Sequence, residues 1–203
     1  MFAIDNKKSN PAFTLIELLI VVSAIAILTA IALPNLLKAQ IRTKASRVKA
    51  ELKTLAVALE AYHTDNNSYP IWMKGTDNIT PNIKRLVPLS TPIGYVTDIP
   101  ERDPFQDENH PRIYDAYDYV DAKSMALSGD PEPAFRVRGA EWRLCSAGPD
   151  RVNTFGGPSY LNSIDNPGYD YDPTNGILSR GDIVLVGPKS HYAGRRLYPD
   201  KIE

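Results

Sequence analysis

Between Leu18 and Leu37 the chain runs for 20 residues without a charge. A helix that crosses a bilayer needs roughly 20 predominantly apolar residues. The mean hydropathy of the whole 203-residue chain is −0.28, so this is one apolar segment on a polar protein and not a polytopic membrane protein. Three readings compete for it. In a cleaved secretory signal, Lys7 and Lys8 form the basic leader and Ala30-Ile31-Ala32 resembles a cleavage site. In a plain signal anchor, the segment stays in the membrane. In the third reading, the segment is processed at its head. Two features count against the first: Glu17 stands at the start of the apolar run, and the helical pattern continues past Ala32. No cysteine lies in the segment, which excludes a lipoprotein signal.

A carboxylate inside a membrane helix costs roughly 2.5 to 3.5 kcal/mol on insertion scales, so it calls for a partner. No Lys or Arg stands near Glu17 on the same helix face. Cleavage between Ala12 and Phe13 would create a new α-amine at Phe13. That cation could pair with Glu17 of a neighbouring copy, and it does not exist until the leader is removed.

The residues Phe13-Thr14-Leu15-Ile16-Glu17-Leu18-Leu19-Ile20 resemble the N-terminal signature of type IV pilins and type II secretion pseudopilins. The resemblance implies that a prepilin peptidase cuts before Phe13 and methylates its amine. Pro34 falls at the family's helix-kinking position, which implies a hinge; the other reading of Pro34 is the end of a transmembrane helix. The chain departs from the pattern at Ala12, where the family has Gly.

Beyond the apolar run, Leu37, Ile41, Ala45, Val48, Leu52, Leu55, Leu59 and Tyr62 form one stripe at helical spacing. The stripe predicts packing against the chain's own body from about residue 48 onward. Residues 38 to 60 hold six basic and two acidic side chains, a net +4, whereas residues 61 to 203 hold 15 basic and 20 acidic ones, a net −5. Charge counting alone would place the basic stretch in the cytoplasm. The resemblance places the leader there instead. Asp65-Asn66-Asn67-Ser68-Tyr69-Pro70 ends the helix between His63 and Asn67. A helix of this length reaches roughly 80 Å at 1.5 Å per residue, more than a soluble domain of this size can bury.

These boundaries divide the chain into a leader (1–12), a transmembrane and assembly helix (13–37), an amphipathic helix (38–66) and an extracytoplasmic α+β body (67–203). In the body, Thr80 as N-cap and Pro81 in the first turn predict a short helix over 81–87. Strands are predicted at 113–120, 134–138, 140–146 and 182–187, with a tight turn at Asn175-Gly176. The fold class is α+β: a long N-terminal helix packed on a small, loop-rich antiparallel sheet, as in pilins.

Catalytic motifs are missing from the sequence. It has no nucleophile elbow, Walker loop, dinucleotide fingerprint or paired-histidine zinc motif. His63, His110 and His191 are scattered. The single cysteine, Cys145, excludes an internal disulfide and reads as a small core residue. A net charge of −1 gives no field for holding nucleic acid. Hard oxygen ligands do gather between 144 and 183, and these suit Ca²⁺. Asp170-x-Asp172-x-Thr174 starts like an EF-hand, but Pro173 and the missing closing Glu reject that loop. Leu144-x-Ser146-x-Gly148-x-Asp150, Gly156-Gly157 and Asp182-Ile183 are similar to the calcium loop of the major pseudopilin. The resemblance implies Ca²⁺ as the one cofactor, with Ser146, Asp150, Asp172 and Asp182 as ligands. Two departures stand out: Arg151 occupies the family's Gly position, and residues 158 to 181 form a long insertion.

Taken together, the sequence is most similar to the type II secretion major pseudopilin. That resemblance implies a non-enzymatic filament subunit, whose assembly residues would be Phe13, Glu17 and Pro34. Its implied partners are copies of itself, minor pseudopilins, the prepilin peptidase, an inner-membrane assembly platform and membrane lipid before assembly. The implied location is the prokaryotic inner membrane, with the N-terminus cytoplasmic, and then a periplasmic or surface filament. A type IV pilin serving adhesion, motility or DNA uptake is the alternative, and a membrane-anchored enzyme or binding protein the next. The processing reading predicts a mature chain that begins at N-methyl-Phe13. Mass spectrometry of the N-terminal peptide checks this, and a terminus at Leu33 would instead identify a cleaved secretory signal.

Overall fold

The computed structural model describes residues 13–75, 77–106, 116–127, 140–152, 171, 181–188 and 191–192. The chain divides into two compact units between Ala39 and Gln40. Helix α1 spans Leu15–Asn66. In its first unit every large apolar side chain from Leu15 to Leu37 is exposed, between 44% and 87%. The helix is long and apolar enough to cross a membrane. The polar residues of this stretch turn inward onto their own helix. Ser23 Oγ donates to the Leu19 carbonyl (2.7 Å), Thr29 Oγ1 to Ile25 (2.8 Å) and Asn35 Nδ2 to Ile31 (3.2 Å). Such back-bonding leaves few polar groups that need water. α1 continues through Pro34, where the ring removes the bond to the Ala30 carbonyl. The helix therefore does not end at this proline.

In the second unit the apolar stripe meets its partner. Ala45, Val48, Leu52, Leu55 and Leu59 are buried, with Ala56 and Ala58 beside them, and Ile41 and Tyr62 pack partly buried against the same core. Burial begins at Ala45, one turn before the sequence period suggests. Asn67 ends the helix with a φ of 51°, and its N–H donates to the His63 carbonyl at 2.8 Å. A left-handed Asn after the last turn is a common helix stop.

The sheet that receives the stripe is a four-stranded antiparallel meander, in the order β3 (Asp118–Asp121), β4 (Trp142–Ser146), β5 (Ile183–Gly187), β6 (His191–Tyr192). Tyr119 pairs with Leu144, and Leu144 with Leu185. Every residue of β4 and β5 is buried, so these two strands are covered on both faces. Before the sheet come a hairpin of β1 (Met73–Lys74) and β2 (Asp77–Asn78) and two 3₁₀ turns at Asn82–Arg85 and Val87–Leu89. Helix α2 (Ala122–Leu127) follows β3.

Several expectations are corrected. The helix predicted over 81–87 is a pair of 3₁₀ turns, and Pro81 stands at the N-cap with no side-chain cap, so Thr80 does not cap it. The strand predicted at 113–120 is Asp118–Asp121; its residues 113–115 lie outside the described residues. Strands 140–146 and 182–187 appear as β4 and β5, each slightly shorter. The strand predicted at 134–138 and the Asn175-Gly176 turn lie outside the described residues. The hairpin β1–β2, helix α2 and strand β6 are additions.

α1 is tied to the body by two of its own carboxylates. Tyr117 Oη donates to Glu51 Oε2. Glu60 accepts from both Tyr69 Oη (3.0 Å) and Trp142 Nε1 (2.7 Å). Burial, reinforced by the neighbouring carboxylate, pushes the phenols of Tyr69 and Tyr117 well up, so both remain protonated donors at neutral pH. The Trp142 indole lies over Gly187, its partner across β4 and β5, and a Cβ at Gly187 would overlap the ring. Gly187→Ala should therefore displace the indole from Glu60 and destabilise the body by about 1–3 kcal/mol. Thermal unfolding, compared with an exposed control such as Gly94→Ala, measures it.

Candidate processing and assembly site

The N-terminal site is built on the first turn of α1. Phe13 is 73% exposed and precedes the helix. Thr14 and Glu17 bond reciprocally: the Thr14 N–H (2.8 Å) and Oγ1 (2.6 Å) both donate to Glu17 Oε2, and the Glu17 N–H donates to Thr14 Oγ1 (3.3 Å). This is a capping box, in which Ser or Thr at the N-cap and Glu three residues on satisfy orphan backbone donors. The T-x-x-E spacing is legible in the sequence. Glu17 thus has a local role in starting the helix, and its carboxylate stands four residues from Phe13. Ala12 lies outside the described residues.

Three of the four calcium ligands that the resemblance implies are among the described residues, and each bonds to protein groups. Ser146 Oγ donates to Asp103 Oδ1 at 2.9 Å, and the other oxygen of Asp103 accepts from the Ala147 N–H at 2.8 Å. Asp150 accepts two backbone N–H groups, Val152 at 3.1 Å and Gly181 at 3.0 Å. Asp182 is fully buried, and the Cys145 thiol donates to its Oδ2 at 3.3 Å. Among the described residues no three of His, Cys, Asp or Glu converge as a metal cluster; Asp172 lies outside them. The backbone of the loop nevertheless keeps the shape a glycine would give. Arg151 has φ 61°. Gly148 has φ 68°, and a Cβ there would overlap the Gly181 carbonyl. The turn after β4 and the start of β5 therefore press together, and Asp150 fastens them.

Asp103 is buried beside this loop. It also accepts the Phe105 N–H at 3.0 Å, so one buried carboxylate organises both its own turn and the loop after β4. Burial raises its carboxyl above the ordinary range despite those three donors. Burial also raises the Cys145 thiol, with Asp182 adding to the shift, so the thiol is inert at neutral pH. A second internal network has Asp118 between Arg85 (2.6 Å) and Arg143 (2.9 Å), all three buried. Of the histidines, His63 stacks on Tyr69 with ring centroids 4.3 Å apart, a structural role. His110 lies outside the described residues.

Residues 7–33 match the family described as the prokaryotic N-terminal methylation motif. The matched residues include Phe13 and Glu17. It is 48% identical over 60 residues to the type IV major pilin protein PilA of Myxococcus xanthus, a match that covers 30% of this chain and 27% of the relative. It is 53% identical over 62 residues to the type IV wide pilus major component PilA4 of Thermus thermophilus, covering 30% of this chain and 47% of the relative. With the type II secretion system core protein G of Aeromonas hydrophila it shares 27% identity over 128 residues, 62% of this chain and 88% of the relative. The chain spans about a quarter to a half of the length of the first curated relatives it matches. No solved structure matches the chain significantly.

Proposed function

We propose that this chain is the structural subunit of a pilus-like filament, of the type II secretion major-pseudopilin kind. The observation that carries the proposal is the stretch of α1 from Leu15 to Leu37: an exposed apolar helix whose single charge, Glu17, follows Phe13 within residues that match a methylation motif. In water such a surface has no partner. A bilayer covers it before assembly, and copies of the same helix cover it afterwards. In this mechanism a prepilin peptidase cuts after Ala12 and methylates Phe13, and the new amine pairs with Glu17 of a neighbour. The helices then leave the inner membrane for the filament core. An assembly platform and minor subunits would start and drive that step, and the body would face the periplasm or the cell surface. The long matches to core protein G support the secretion reading. The higher identities, to two pilus subunits, favour a type IV pilus as the second reading. Gene neighbours that encode a secretion channel or a pilus-retraction motor distinguish them.

The capping box separates two roles of Glu17. Glu17→Gln keeps an acceptor for the Thr14 donors and removes the charge. Membrane insertion should be unchanged or improved, and sheared filaments should fall to background. Membrane fractionation beside filament counts measures both. Normal filament counts from Glu17→Gln would show that the charge is not the assembly contact.

Calcium binding in the body is the second part of the proposal, with Ser146, Asp150, Asp172 and Asp182 supplying the oxygens. The acidic character of the loop and the glycine-like backbone at Arg151 support it. Calcium at 100 times its dissociation constant should stabilise the body by about 2.7 kcal/mol. Thermal unfolding in calcium, magnesium and chelator measures this. A calcium-specific rise should vanish in Asp172→Ala, and equal melting in calcium and chelator would refute the site.

A further inference from the structure

The apolar residues 15–37 of α1 are enough, at about 1.5 Å per residue, to fill the roughly 30 Å hydrocarbon core of a bilayer. The positions that follow therefore enter the headgroup layer, which adds about 5–8 Å on each side. Three cations stand there: Lys38, Arg42 and Lys44, about 1.5, 7.5 and 10.5 Å along the helix beyond Leu37. All three are exposed, and none has an ion-pair partner among the described residues. Their own helix offers no counter-charge, because no Asp or Glu occurs between Glu17 and Glu51. Lys38 and Arg42 are also spaced i, i+4, which sets like charges side by side and costs helix stability unless an anion lies between them. The next cation, Arg47, lies about 15 Å beyond Leu37, past the headgroups. It has a protein partner, Glu51 Oε1 at 2.6 Å. Pairing thus changes with depth.

We propose that Lys38, Arg42 and Lys44 form a collar that binds the phosphates of anionic phospholipid headgroups while the subunit stands in the membrane. The inference rests on the membrane reading of residues 15–37 and not on the filament, and it names the lipid class. The occupant follows from depth: at this height the groups around the helix are lipid headgroups. Long aliphatic stems let Lys38 reach outward and let Arg42 and Lys44 reach back to the same layer. The Arg42 guanidinium also suits two oxygens of one phosphate. Zwitterionic headgroups carry the same phosphate, but their own ammonium competes for it, so the collar selects lipids of net negative charge. Each cation at an anionic surface contributes about fivefold in affinity, and salt screens the effect.

The test uses the full chain, purified in a neutral detergent and titrated with phosphatidylglycerol, phosphatidylcholine or glycerol phosphate. Phosphatidylglycerol should bind about tenfold or more tightly than phosphatidylcholine at low salt, and the preference should shrink as salt rises. Lys38→Gln with Arg42→Gln and Lys44→Gln should abolish the preference; Gln keeps the helix propensity and removes the charge. Lys74→Gln with Lys84→Gln and Arg102→Gln removes the same charge from exposed positions of the body and should leave the preference intact. Equal loss in the two triple variants would show an effect of bulk charge and overturn the collar, as would equal affinity of the wild type for the two lipids. Glycerol phosphate binding as tightly as phosphatidylglycerol would assign the cations to a free anion and overturn the lipid. Carbonate extraction of membranes from expressing cells tests the underlying reading. A chain that stays in the membrane but lacks the preference overturns the collar alone, whereas a chain that carbonate releases overturns the membrane reading with it.

Discussion

One helix in this protein has to satisfy two solvents. From Leu15 to Leu37 it offers apolar side chains on every face, and its few hydroxyl and amide groups bond back to carbonyls four residues earlier. Such a helix is stable only where water is absent on all sides. From Ala45 onward it offers a stripe, because its own domain covers only one side. The switch from all-round to one-sided hydrophobicity, within a single helix, sets the architecture. The stripe supplies the layer that the sheet packs against.

The body is then fixed by polar contacts of unusual depth. Glu51 and Glu60 on α1 each receive donors from the sheet side, so apolar packing sets the distance while hydrogen bonds set the register. Asp118 joins Arg85 of a 3₁₀ turn to Arg143 of β4, and Asp121 caps α2 while accepting the Trp72 N–H. Burial raises the Asp121 carboxyl, and its backbone and Ser124 donors offset part of that cost. Removing one member of such a network leaves a buried charge without its partner, which costs far more than the pair contributes. These residues read as scattered charges in the sequence because their partners stand 25 to 49 positions away.

The candidate site shows how local and distant signals differ. The residues that match the methylation motif are contiguous, and the capping box joins Thr14 to Glu17, three positions on, so both belong to the sequence. The loop after β4 is different. There Ser146 donates to Asp103, a partner 43 residues earlier. Arg151 is not a glycine and still adopts a left-handed φ of 61°. Contacts with Gly181 and Asp150 hold that turn, so residue type alone did not decide its shape.

The sequence by itself determined the α1 helix, its apolar run, its stop at Asn66 and the strands β4 and β5, because periodicity, turn formers and apolar runs are properties of neighbouring residues. It also determined the methylation motif. Only the tertiary structure decided that Thr80 would not cap a helix, that the hairpin of β1 and β2 would form, and that Trp142 would lie over Gly187 and reach Glu60. The reach of Trp142 to Glu60 depends on a partner 82 positions away. Chain neighbours fix where a helix begins and ends; burial and the pairing of distant polar groups fix what it touches.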